Sequence, residues 1–129
     1  MAEPKGQPSP ILDVRATRTG DVLVVSVSGE LDLDTVPEVR AAITPHLTGG
    51  PSALVLDLSG VRFFGSAGLS LLLETRGRVD AFAVVATTRA VLRPIQLTTI
   101  APLLTLFATV DEALDWASAG LPVVPRADQ

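Results

Sequence analysis

The chain has 129 residues, enough for one hydrophobic core of ordinary size and too few for two. Hydrophobic residues make up 47 %, the formal net charge is −4, cysteine is absent and His46 is the only histidine. These features exclude disulfides, thiolate and imidazole-rich metal sites and cysteine nucleophiles, and the dispersed arginines supply no basic stripe for nucleic acid.

Residues 1–10 are rich in Pro, Gly and polar groups and lack the apolar run of a secretory leader, so they read as a disordered lead-in. A single domain is expected over 11–119, with a flexible tail over 120–129. From Leu12 to Arg18 polar and apolar residues roughly alternate. Thr19-Gly20-Asp21 then turns into the β-branched run Val22 to Ser28, which predicts a hairpin.

After Gly29-Glu30-Leu31-Asp32-Leu33-Asp34, Thr35 and Glu38 have capping-box spacing, with Pro37 in the first turn. Val36, Val39, Ile43 and Leu47 make one apolar stripe, and Pro45 and Gly49-Gly50 end the helix. Ala53 to Leu58 is nearly all apolar, the pattern of a strand buried on both faces. Asp57, at its end, is expected to hydrogen-bond the following loop.

A turn of small residues, Gly65-Ser66-Ala67-Gly68, then leads into a helix to about Val79. Leu69, Leu72 and Leu73 are placed on one face, Glu74 and Arg78 form an exposed pair, and Leu71 points to solvent or a partner. Ala81 to Val85 is a short buried strand. Thr87 or Thr88 caps a helix through Val91, Leu92, Ile95 and Leu97, bent or shortened by Pro94. Leu104 to Thr109 supplies the last strand, and Asp111 opens the last helix. Strands alternating with helices predict an α/β fold, a mixed β-sheet of four to five strands with about four helices. The longest uncharged stretch, Pro94 to Val110, contains Pro102, Gln96 and threonines and reads poorly as a membrane span. A cytoplasmic protein is expected, with no membrane partner.

Ser66 is the chief candidate. It is expected at a helix N-terminus, where backbone N–H groups lack partners and the helix dipole is positive, so a phosphate there would be tolerated by its own fold. It would also present about −1.5 to −2 new charges to anything docked over that helix end. Gly65, Ala67 and Gly68 leave the backbone beside the hydroxyl lightly covered. If the second and third strands are neighbours, Asp32 lies near Ser66, where it could touch a partner or serve only as a cap.

Two other readings compete with this. Ser66 could be a plain helix cap. It could also be a hydrolase nucleophile, but Phe64 stands where that elbow needs glycine and His46 would have to reach Ser66 from another helix.

Gly29-Glu30-Leu31-Asp32, Asp57-Leu58-Ser59-Gly60-Val61 with Phe63 to Leu69, and Leu106-Phe107 through Asp111-Glu112-Ala113-Leu114 together resemble a STAS domain of the anti-sigma-factor antagonist family. The resemblance spans about Ile11 to Ala119. It implies a non-enzyme without cofactor or metal that binds an anti-sigma factor with serine kinase activity and frees a sigma factor. Phosphorylation of Ser66 would switch it off and a phosphatase would reset it; the turn and helix as read above make Asp32, Gly65, Ala67, Gly68 and Leu71 the expected partner-binding residues. Self-association, if any, is expected to be weak. The family commonly has Asp before the serine and Ser after it, where this chain has Gly65 and Ala67. The alternative is a STAS subunit of a lipid-transport or membrane-transporter complex.

Overall fold

A computed structural model describes residues 12–48 and 53–120. The expected lead-in over 1–10, the Gly49-Gly50 helix stop and all but the first residue of the expected tail lie outside them. The elements are β1 (Leu12–Thr19), β2 (Val22–Leu31), α1 (Val36–Leu47), β3 (Ala53–Phe64), α2 (Ser66–Arg76), β4 (Ala81–Val85), α3 (Arg89–Leu97), a 3-10 turn (Ala101–Leu103), β5 (Thr105–Phe107) and α4 (Val110–Gly120).

The five strands form one mixed sheet in the order β1-β2-β3-β4-β5. The β1–β2 pair is antiparallel, joined by a tight turn in which Gly20 takes a φ of +62°, as a two-residue hairpin requires. β2, β3, β4 and β5 are parallel to their neighbours. Because these strands are laid down in sequence in one direction, right-handed crossovers put every connecting helix on the same face.

The side chains bear this out. Leu23, Val25, Val27, Leu54, Leu56, Phe82 and Val84 share one core with residues of α1, α2 and α3. Their alternate neighbours Val22, Ala53, Val55, Ala83 and Val85 face the other way, and Ala113 and Ala117 of α4 cover them. A central strand buried on both faces reads as continuous apolar sequence for this reason.

β3 runs six residues beyond its expected end, and this extension shapes the functional edge. Its twelve residues pair with the ten of β2, so two extra residues are absorbed as register shifts, one between Ser26 and Ser28 and one between Gly29 and Glu30. Asp57 holds the first shift, its Oδ1 accepting from the Ser59 amide at 3.0 Å and the Ser59 hydroxyl at 2.7 Å, the local role anticipated for it. After the shift only every third residue turns inward, namely Leu58, Val61 and Phe64. Arg62 and Phe63 are consecutive and both exposed, which a regular strand would not allow.

Several local expectations change. Thr35 forms no capping box, because its hydroxyl turns back to donate to the Glu30 carbonyl at 2.8 Å and to accept from the Asp32 amide at 2.9 Å. α1 continues through Pro45, and α2 stops at Arg76. Leu73, expected on the buried face, is 39 % exposed, and Leu71, expected to point outward, lies in the core instead. Glu74 is held chiefly by Arg40 of α1, with Nε to Oε2 at 2.9 Å and Nη2 to Oε1 at 3.0 Å, while Arg78 sits at 4.0 Å.

Pro94 lies within α3 without ending it, and Thr88 at its N-cap makes no side-chain capping bond. The last strand is shorter than expected. Thr109 caps α4 by accepting from the Glu112 amide at 3.1 Å, while the Glu112 carboxylate accepts from the Ala108 amide at 3.3 Å. No helix among the described residues is long and apolar enough to cross a membrane.

Candidate functional site

The C-terminal ends of β2 and β3 lie side by side. Leu31 pairs with Phe64, and the Gly65 amide donates to the Leu31 carbonyl at 3.0 Å. The residues that follow each strand, Asp32 and Ser66, are therefore brought to one sheet edge, where open α/β sheets place their sites.

Ser66 is the first residue of α2. Gly65 before it has extended backbone, and its carbonyl accepts from the Gly68 and Leu69 amides at 2.9 and 3.3 Å. The Ser66 side chain is exposed and makes no hydrogen bond to a described residue, so the hydroxyl is not spent on capping. The first turn of α2 has no acidic residue, so no carboxylate of the helix itself offsets the positive end of its dipole.

Around the hydroxyl lies a shallow depression of about 470 Å³, lined by Asp32, Leu33, Phe63, Gly65, Ala67 and Ser70 together with Ser66 itself. Asp32 has a structural duty there, since its Oδ1 accepts from the Asp34 amide at 2.9 Å and the Thr35 amide at 3.1 Å. Its second carboxylate oxygen takes part in no hydrogen bond among the described residues.

Sequence reasoning passed over Leu33 and Phe63, which are 79 % and 51 % exposed. Leu33 follows the polar Asp32 and precedes Asp34, so no periodicity marks it. Phe63 reaches the surface only because of the second register shift. The depression therefore combines one free hydroxyl, two exposed apolar groups and a carboxylate at its margin.

Two of the residues expected to contact a partner are not at the surface. Leu71 is 1 % exposed and belongs to the main core. The helix begins at Ser66 and packs Gly68, Leu71, Leu72 and Thr75 inward, so the expected outward direction of Leu71 is overturned by the face α2 buries against the sheet. Gly68 is buried too. A β-carbon there would stand 2.7, 2.9 and 3.0 Å from the Phe64 ring, so its small size serves the packing of α2 on β3. Gly65 has negative φ, and a β-carbon there would come within 3.3 Å of the Phe63 ring. The missing side chain makes room for Phe63 to lie beside Ser66.

The hydrolase alternative fails on topology. His46 is in the last turn of α1, which starts beside the end of β2 and returns toward the start of β3. His46 and Ser66 therefore stand at opposite ends of the parallel strands. Among the described residues no group of three His, Cys, Asp or Glu side chains could hold a metal ion.

A STAS domain profile matches residues 13–113. The chain belongs to the STAS domain family. It is 38 % identical over 102 residues to the anti-sigma-F factor antagonist RsfB of Mycobacterium tuberculosis, covering 77 % of this chain and 84 % of that protein. It is 34 % identical over 64 residues to the anti-sigma-B factor antagonist of Staphylococcus aureus, covering 50 % and 59 % of the two chains.

Among solved structures, an anti-sigma factor antagonist from Mycobacterium paratuberculosis superposes with a TM-score of 0.80 at 38 % identity, covering 87 % of this chain and 99 % of that one. Unphosphorylated SpoIIAA, at 21 % identity, covers 88 % of this chain and all of its own with a TM-score of 0.71, and so shares the fold. This STAS domain has a five-stranded mixed sheet and four helices, in line with the expected four to five strands and about four helices.

Proposed function

We propose that this STAS domain is an anti-sigma factor antagonist: it binds an anti-sigma factor that is also a serine kinase, frees a sigma factor, and is switched off by phosphorylation of Ser66. The observation that carries this reading is the exposed, unbonded Ser66 hydroxyl at the first residue of α2, flanked by exposed Leu33 and Phe63. The relatives named anti-sigma factor antagonists support the role in general.

The physical logic follows from the site. Unmodified, the depression presents apolar surface around a small neutral hydroxyl, which a partner can cover without burying charge. Phosphorylated, the same contact would enclose a near-dianion beside the Asp32 carboxylate, and stripping its water costs several kcal/mol unless the partner supplies cations. A loss of about 3 kcal/mol lowers affinity more than a hundredfold. The fold tolerates the phosphate, because the open start of α2 favours an anion. A phosphatase restores the hydroxyl and with it the docking surface.

The test is a pull-down followed by phosphorylation of the purified protein. The captured partner should carry a histidine-kinase-like ATPase domain, and with magnesium and ATP it should add one phosphate, located on Ser66 by mass spectrometry. Ser66→Ala should bind that partner constitutively and take up no phosphate, and Ser66→Asp should bind weakly. An unmodified Ser66, or undiminished binding by Ser66→Asp, refutes the switch. Capture of membrane permease subunits instead would point to a transporter role.

A further inference from the structure

Phe63 also walls a second, more apolar concavity, of about 560 Å³, between the end of β3 and α3. Its floor is Phe63, Phe64, Ala90, Pro94 and Leu97, and Leu97 is 74 % exposed. Its rim carries Arg62, Arg89 and Arg93. The size is within the range of small-molecule sites, about 300–1,000 Å³.

The charge pattern of the rim is one-sided. None of the three arginines has a carboxylate within 4.0 Å among the described residues, although the chain as a whole is acidic. Arg89 and Arg93 are one helical turn apart, a like-charge pairing that mildly destabilises a helix. α3 contains no acidic residue to offset them, and Arg89 stands in its first turn, where the dipole is already positive. An anion at this rim would relieve all three conflicts, and guanidinium groups suit a carboxylate because they bind it through two parallel hydrogen bonds.

The floor selects the other half of the ligand. Its five side chains offer no hydrogen-bond donor or acceptor, so an extended peptide laid on it would bury amide groups without partners. An alkyl chain has none to satisfy. The bounding helix has nine residues, about 13 Å in length, which limits the tail to a single short chain.

We propose that this groove binds a single-chain alkyl carboxylate, its tail on Phe63, Phe64, Ala90, Pro94 and Leu97 and its headgroup on Arg89 and Arg93, with Arg62 closing the opposite rim. The bulged end of β3 makes the site, since it turns Arg62 outward together with Phe63.

The test uses the isolated, isotope-labelled protein titrated with dodecanoate below its micelle concentration, so that failure here leaves the Ser66 reading untouched. Saturable NMR shifts should centre on Phe63, Ala90 and Leu97, and dodecyltrimethylammonium, with the same tail and the opposite charge, should produce none. The double variant Arg89→Glu/Arg93→Glu should bind dodecanoate at least about tenfold more weakly while keeping a native spectrum, because two charge-assisted contacts become repulsive. Leu97→Asp, at an exposed position, should weaken it as well. Equal response to both headgroups, shifts centred elsewhere, undiminished binding by the double variant, or response to an acidic amphipathic peptide but not to dodecanoate would each overturn the proposal.

Discussion

The ring of Phe64 occupies the space that a side chain on Gly68 would need, approaching to 2.7 Å of the missing β-carbon. Phe64 ends β3 and Gly68 is in the first turn of α2, so this contact sets how closely the serine-bearing helix lies on the sheet. Gly68→Ala gains helix propensity of about 1 kcal/mol. It also forces the buried ring aside, and overpacking of this kind costs about 1–3 kcal/mol. We expect a net loss of stability in urea denaturation, partly restored by Phe64→Leu. A variant as stable as the parent would mean that the ring yields freely.

Leu71 and Ser66 separate scaffold from surface on one helix. Leu71→Ala should lower stability by about 2–5 kcal/mol, as expected for a leucine enclosed in a core. Ser66→Ala should change it by less than about 0.5 kcal/mol, because the side chain is exposed and unbonded. Thermal and urea unfolding of the two variants decide this. A tolerant Leu71 together with a sensitive Ser66 would reverse the assignment.

Thr35 anchors the loop that carries Asp32 and Leu33 to the site. Its buried hydroxyl both donates to the Glu30 carbonyl and accepts from the Asp32 amide. Thr35→Val keeps the shape and strands both backbone groups, a cost of about 1–3 kcal/mol. Amide hydrogen exchange at Asp32 should rise in this variant. Unchanged protection there would show that the loop is held by other bonds.

The paired hydrogen bonds from Arg40 hold the Glu74 carboxyl below its usual range, with burial opposing the shift and the charges of Arg40 and Arg78 adding to it. The folded state therefore binds this proton more weakly than the unfolded state. The stabilisation is fully present above the unfolded carboxylate pKa, about 4.3. It is lost as pH falls through the lower folded value. Glu74→Gln should lower the melting temperature slightly at neutral pH, with a difference that shrinks in acid and in high salt, since both partners are partly exposed. A difference that widens in acid would contradict the sign.

Much of the fold could be read from local pattern. The apolar run Ala53 to Leu58 marked a central strand, and the stripe Val36, Val39, Ile43 marked a helix that buries one face. Small residues between strand and helix marked the Ser66 turn, because few other segments combine low helix propensity with the start of a leucine-rich helix. The Thr109–Glu112 spacing was equally legible and went unused. At Thr35 the same spacing misled, because a tertiary acceptor, the Glu30 carbonyl, took the hydroxyl that would have capped α1.

What sequence by itself determined was therefore the class of fold, the order of its elements and the position of the one hydroxyl that opens α2, all of which follow from short-range periodicity and backbone preference. Only tertiary structure decided which neighbours that hydroxyl has. The two-residue excess of β3 over β2 is invisible until the strands pair, yet it turns Phe63 toward Ser66 and Arg62 toward α3. The inward face of α2 likewise depends on where Phe64 packs, which is why Leu71 and Gly68 belong to the core while Leu33 and Phe63 face the solvent.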